Sequence, residues 1–194
     1  MSLPIALSAV VGALVVLMTG VYWAGSQLPA TRSAKASVAI HSPPDNIMAV
    51  LRDVASQPTW RPDVLSVEIH STDDWTEQRR GGESIRFRTV ARTEQAIELS
   101  FVSTRRYFGH WRGQLSADPE GGLTLLEVEE SATVQSPVQR VLARILFDPE
   151  KFSADYLSRL KAEVQRRSNA TPHRQGEVER SNVAAGIDAK RSQS

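Results

Sequence analysis

The sequence predicts an α+β domain set behind one membrane-length helix, and three observations carry that reading. The first charged side chain is Arg32, and the run before it, LPIALSAVVGALVVLMTGVYWAG (Leu3–Gly25), is almost wholly apolar. Past it, short runs of alternating apolar and polar residues follow one another with short connections, as in an antiparallel meander. The period then changes, and apolar residues recur at helical spacing from Val138 to Val164.

Roughly twenty apolar residues rise about 30 Å as a helix, enough to cross the hydrocarbon core of a bilayer. Tyr22 and Trp23 stand at one end of the run, where an interfacial aromatic belt would sit. A cleaved signal peptide would need a basic start and a shorter apolar core. This run has neither, and YWA is a poor small-x-small cleavage site, so the segment is expected to stay as a single-pass anchor. No Lys or Arg precedes it, whereas Arg32 and Lys35 follow it. The positive-inside rule therefore expects the domain on the cytoplasmic side. The expected divisions are 1–31 for anchor and linker, 32–167 for the domain and 168–194 for the tail. The tail has no aromatic residue and no sustained apolar period, the composition of a disordered segment.

Within the domain, ASVAI (Ala36–Ile40) alternates as a half-buried strand, and Pro43 and Pro44 stop it. Ile47, Val50, Leu51 and Val54 then make the buried stripe of a short helix, which Pro58 and Pro62 end. Strands are expected at Val64–Ile69, Ser84–Val90, Ala96–Val102, Tyr107–Leu115 and Leu123–Val134. In the first of these, Leu65, Val67 and Ile69 form the apolar face. DPEGG (Asp118–Gly122) is the turn before the last. Ser136, Pro137 and Gln139 have the pattern of a helix start with a capping box. Val138, Val141, Leu142, Ile145 and Leu146 form one apolar stripe, and Phe152, Tyr156, Leu157, Leu160 and Val164 another. Asp148-Pro149 between them marks a kink or a fresh helix start.

Composition excludes several functions. Lys plus Arg is 23 against 22 for Asp plus Glu, a net charge of +1, without the basic excess of a nucleic-acid binder. There is no cysteine, which rules out disulfides, thiolate metal sites and cysteine nucleophiles. His41, His70, His110 and His173 have no metal-ligand spacing, and no G-x-S-x-G elbow or phosphate-binding glycine loop occurs. Nothing in the sequence calls for a metal or a cofactor.

The order strand, short helices, five or six strands and long helix resembles the START-like (SRPBCC) superfamily, and within it the polyketide cyclase/dehydrase-type group. The residues that carry the resemblance are HSPPDNIMAVLRDVASQPTWRPDVLSVEI, with Asp53, Trp60 and Pro62 flanking the corner, PEGGLTLLEVEE, and SPVQRVLARILF. It spans Ser33 to Arg167. It implies a helix-grip fold, a curved antiparallel sheet around a long C-terminal helix, with a pocket between them that in many members holds an apolar small molecule. The family has no universal catalytic motif, so the resemblance assigns no catalytic residue.

Strand alternation points Phe87, Phe101 and Trp111 inward, with Tyr107 on the face of Trp111. Leu126, Val128, Glu130 and Ala132 share one face of the last strand, so Glu130 points inward unless the strand has reached the rim or bulges. With Leu142 and Leu146 from the helical stripe, these make the candidate ligand-lining set: Phe87, Phe101, Tyr107, Trp111, Glu130, Leu142 and Leu146. Asp53 and Trp60 are expected to serve structure, Trp60 by packing the helix-to-strand corner. Arg86, Arg88, Arg105, Arg106 and Arg112 form a basic set that can either meet an anionic membrane or pair with neighbours such as Glu94 and Glu98. The expected function is a membrane-anchored START-like domain that binds a hydrophobic small molecule or lipid. The alternatives are a cyclase or dehydratase acting on polyketide-like or aromatic substrates, for which Glu130 is the best acid, and an interaction module whose own aromatics fill the pocket.

Overall fold

The computed structural model describes residues 3–118 and 122–170. The element order is α1 (Leu3–Gln27), β1 (Thr31–His41), α2 (Pro44–Arg52), a 3-10 turn (Val54–Ser56), α3 (Gln57–Trp60), β2 (Val64–Ser71), β3 (Asp74–Arg79), β4 (Glu83–Arg92), β5 (Ala96–Ser103), β6 (Tyr107–Ala117), β7 (Leu123–Val134), α4 (Pro137–Leu146) and α5 (Pro149–Ala170). The strands form one antiparallel sheet in the order β1-β7-β6-β5-β4-β3-β2. Five of its six pairings join strands consecutive in sequence, and the sixth brings β1 beside β7. Helix α5 packs on β1 and on α2 and α3, across one face of the sheet. This is the helix-grip arrangement.

The core follows from the alternation read in the sequence. Ile40 on β1, Leu126 and Val128 on β7, Leu115 on β6 and Ile97 on β5 are buried on one face. They meet Leu157, Leu160 and Val164 of α5 and Ile47, Met48, Val50 and Leu51 of α2 in one cluster. The opposite face carries Arg86, Arg88 and Arg112, which pair across strands: Arg86 with Asp74 at 2.6 Å, Arg88 with the same carboxylate at 3.6 Å, and Arg112 with Glu98 at 3.3 Å. Arg105 reaches Glu83 at 4.0 Å. Pairing thus engages most of the basic set, with Asp74 where the sequence had suggested Glu94.

Two expectations need correction, and the choice between a kink and a fresh helix start at Asp148-Pro149 is decided. A seventh strand, β3, was not foreseen. Its inward residues are Trp75, Glu77 and Arg79, so charge hides the apolar alternation. The turn after it is marked by Gly81 and Gly82, with φ of +83° and +75°, a conformation that L side chains rarely adopt. In β2, the register shifts between Val64 and Ser66, so Val64 is buried while Leu65 and Ile69 are more than half exposed. The long C-terminal helix is two helices, α4 and α5, divided at Phe147-Asp148. Asp148 accepts the backbone N–H groups of Glu150 and Lys151, and so caps α5 as a fresh start.

Ser136 caps α4 by accepting from the backbone N–H of Gln139 at 3.5 Å, with Pro137 in the first turn. The reciprocal half of a capping box is missing: Gln139 Oε1 is buried without a partner among the described residues. Helix α4 packs on α1 instead of joining α5 on the sheet. Gly25 allows this contact, because a Cβ there would collide with the backbone carbonyl of Pro137. Helix α1 is long and apolar enough to cross a membrane, with a mean hydropathy of 1.4 over Val10–Gln27. The expected disordered tail lies, from residue 171 onward, outside the described residues, as do residues 119–121 of the expected turn.

Leu126 lies at the centre of the core, with none of its surface exposed. Leu126→Ala is expected to lower unfolding stability by about 2–5 kcal/mol, from lost transfer energy plus a cavity. Urea denaturation checks this, and a loss well under that range would show that β7 is not seated on α5.

Candidate functional site

The inward face of the sheet has two unlike ends. At one end the aliphatic cluster is closed. At the other, rings and charges face α5 and several retain part of their exposure: Phe87, Tyr107, Trp111, Glu130, Phe152 and Tyr156 are all half-buried. A wall of rings runs across the strands. Trp75 stacks on Phe87 with centroids 5.5 Å apart, Phe87 meets Phe101 at 5.7 Å, and Phe101 meets Tyr107 edge-on at 6.2 Å. From the helix side, Tyr156 stands edge-on to Trp111 at 6.1 Å and tilts against Trp60 at 5.8 Å.

Beside the rings lies a buried ionic network. Glu77 of β3 is 1% exposed and Arg61, just after α3, is 5% exposed. Arg61 donates to Glu77 Oε1 at 3.0 Å, to Gln57 Oε1 at 2.6 Å and to Asp63 Oδ2 at 3.0 Å. Arg79 donates to Glu77 Oε2 through Nη2 at 2.9 Å and Nε at 3.2 Å. Each guanidinium also faces a ring on α5: Arg61 lies 5.6 Å from the centroid of Tyr156, and Arg79 lies 5.8 Å from that of Phe152. Burial opposes the charge on Arg61, yet Glu77 and then Asp63 more than offset it and raise its pKa.

Five of the seven candidate residues gather on this face: Phe87, Phe101, Tyr107, Trp111 and Glu130. Phe101 is a fully packed member of the wall. The Tyr107 hydroxyl is held well above its ordinary pKa by burial and by a hydrogen bond with Glu83. Leu142 and Leu146 do not join them. They lie on α4 and are 50% and 78% exposed, because the chain break before α5 turns their stripe away from the sheet.

Glu130 points inward. The β7 register with β1 and β6 is continuous, with Glu130 opposite Ala34 on one side and Trp111 on the other, so no bulge turns it outward. Its carboxylate makes no hydrogen bond or ion pair with the described residues. Burial raises its pKa, and Glu77 adds to the rise, while Arg79 and Arg61 oppose it without cancelling it. Burial likewise pushes the Tyr156 hydroxyl up to about 12. Two indole donors, Trp60 Nε1 and Trp75 Nε1, are also buried without an acceptor among the described residues.

The residues that sequence reasoning missed are Arg61, Glu77, Arg79 and Tyr156. Arg61 sits in the WRP corner that helps carry the family resemblance, and Tyr156 in the apolar stripe of the last helix. Asp53 serves structure as expected, pairing with Arg167 of α5 at 2.9 Å. Trp60 packs the corner and reaches across to α5. Among the described residues no group of three or more His, Asp or Glu side chains could hold a metal ion.

Two substitutions test the polar end. Glu77→Gln removes the buried charge shared by Arg61 and Arg79 and is expected to destabilise the fold by about 3–5 kcal/mol in urea. A loss under about 1 kcal/mol would mean that the network is solvated. Glu130→Gln should act the other way. A carboxyl whose folded pKa lies above its unfolded one favours folding below the unfolded pKa and loses that contribution as pH rises through the folded one. The glutamine variant should therefore melt above the wild type at neutral pH, with the gain shrinking as pH falls through the carboxylate range. Equal melting at every pH would put Glu130 in solvent.

The sequence profile described as polyketide cyclase / dehydrase and lipid transport matches residues 31–165. No curated protein matches the chain. Among solved structures, the Zhui aromatase/cyclase from Streptomyces sp. R1128 aligns at a TM-score of 0.61 and 16% identity, covering 73% of this chain and 98% of that one. A START superfamily protein from Mycobacterium smegmatis aligns at 0.57 and 14%, covering 69% and 97%. A norcoclaurine synthase point mutant from Thalictrum flavum, in complex with a transition-state analogue, aligns at 0.57 and 10%, covering 73% and 99%. These likenesses concern the fold, and the profile match covers most of the chain. The chain belongs to the polyketide cyclase / dehydrase and lipid transport family, with the helix-grip fold of the START-like superfamily.

Proposed function

We propose that this protein is a membrane-anchored START-like domain that takes a small, largely apolar molecule with one polar end into the space between the sheet and α5. The observation that carries the proposal is the partial exposure of Phe87, Tyr107, Trp111 and Tyr156 on the face that should be the core. Rings left half-open there offer apolar area to a guest. Glu130, half-buried and without a partner among the described residues, offers it a polar group that can fix its orientation. The partial exposure favours this reading over a pocketless interaction module, whose rings would be packed shut. Tethering such a domain by α1 would raise the local concentration of a guest that partitions into the bilayer.

A second reading rests on Glu130 alone. A carboxyl whose pKa is raised by burial holds its proton more firmly than a free one, and beside an apolar wall it can donate that proton to a bound carbonyl or hydroxyl, as a cyclase or dehydratase requires. On this reading Glu130 is the general acid, and Tyr156, held protonated, is a hydrogen-bond donor.

The test is uptake. The full chain in vesicles, then solubilised and extracted for mass spectrometry, should carry an apolar molecule in stoichiometric amount, and Trp111→Ala should carry much less. Equal recovery from both proteins would count against the site. Conversion of the bound molecule by the wild type but not by Glu130→Gln would favour the enzyme.

A further inference from the structure

Helix α4 is the place where this fold spends apolar residues on nothing visible. Leu142 is 50% exposed, Ile145 73%, Leu146 78% and Phe147, just past its end, 45%. Four large apolar side chains on one turn and a half make a contiguous patch, which a protein surface rarely leaves bare. The opposite side of α4 is fixed. Arg140 donates to the backbone carbonyls of Val134, Gln135 and Leu28, and Arg32 donates to those of Ala143 and Phe147, both at 3.3 Å. These bonds hold the helix in one orientation, with its apolar side out.

We infer that α4 and Phe147 lie in the interface of the bilayer that α1 enters, as an amphipathic helix seated beside the anchor. Continuity names the occupant. Helix α4 packs on α1, and Pro137 at its start abuts Gly25, two residues past Trp23. Trp23 and Tyr22 are 68% and 59% exposed, and so are placed for the headgroup level. The exposed surface of α1 therefore runs directly into that of α4. Charge agrees, since α4 has no acidic residue and presents Arg144 to solvent, the pattern of helices that lie on anionic lipid.

The patch also leads inward. Phe147 tilts against Phe152 at 5.5 Å, and the Phe152 ring lies beneath the Arg79 guanidinium of the buried network. An apolar molecule leaving the bilayer at α4 would meet Phe147, then Phe152, then the ring wall. The inference rests on the anchor proposed above, and it adds the point of entry.

The chain has no cysteine, so single cysteines can be placed without removing any. The full chain is reconstituted in phosphatidylcholine–phosphatidylglycerol vesicles with an environment-sensitive fluorophore at Ile145→Cys, Leu146→Cys, Val15→Cys or Glu94→Cys, and quenched by lipids spin-labelled at known depth. The Ile145 and Leu146 labels should lose more than half their emission to shallow quenchers, the Val15 label should respond to deep quenchers, and the Glu94 label to neither. Quenching at Val15 without any at Ile145 and Leu146 would overturn the inference and leave the anchor standing. No quenching at Val15 would overturn the anchor and the inference with it. Self-quenching between labels at Ile145, with no response to lipid quenchers, would assign the patch to a second copy of the chain and equally overturn the inference.

Discussion

The aliphatic stripe of α5 is shorter than the sheet it crosses, and that mismatch organises the molecule. Leu157, Leu160 and Val164 are buried against β1, β7 and α2, while the preceding turn offers Phe152 and Tyr156, which stay half-buried. A sheet that curls around one helix must fill its inward face with whatever that helix presents. Where α5 presents Leu and Val, the face is a closed core. Where it presents rings, the face is a wall of Trp75, Phe87, Phe101, Tyr107 and Trp111, of which Trp75 and Phe101 are buried and Phe87, Tyr107 and Trp111 keep part of their exposure.

The ionic network belongs to the same division. Charges beneath a sheet are tolerated only when each is paired and hydrogen-bonded, and Glu77 does this for Arg61 and Arg79 at once. The network joins the corner after α3 to β3 and, through the stacked rings, to α5. It holds the far strands of the sheet in place together with the buried aliphatics Val64 of β2 and Ile85 of β4. Glu130 is the exception in this neighbourhood, a carboxylate near two guanidiniums but hydrogen-bonded to neither. Burial raises its pKa, and the two guanidiniums oppose that rise only from a distance, because their hydrogen bonds are already committed to Glu77, Asp63 and Gln57.

Much of the fold was legible because burial and period agree. Ile40, Ile97, Leu115, Leu126 and Val128 alternate in the sequence and are buried as that alternation requires. β3 was illegible for the opposite reason: its inward side carries Glu77 and Arg79, whose burial depends on partners from elsewhere in the chain. The bulge in β2 is a tertiary feature, and a period of two through Leu65, Val67 and Ile69 could not reveal that Val64 would take the inward place. Asp148-Pro149 was visible as a break, but whether α4 would continue along the sheet or turn to α1 depended on Gly25. Of the candidate site, the strand residues were readable from alternation. Arg61 and Tyr156 were not, because their role is set by the meeting of α3, β3 and α5, elements distant in sequence. Gly81-Gly82 was the overlooked signal, since two glycines between charged runs mark a tight hairpin.

The central claim is that the aliphatic end of the inward face is closed, whereas the part-exposed rings at its aromatic end give way to a guest. Titrating 2-naphthol, an apolar bicycle with a single hydroxyl, into the full chain in nanodiscs and following aromatic and methyl NMR signals tests it most directly. The account predicts saturable shifts at Phe87, Tyr107, Trp111 and Tyr156, with the methyls of Leu157, Leu160 and Val164 moving little. Shifts that never saturate, or that fall on the aliphatic core as much as on the rings, would contradict it.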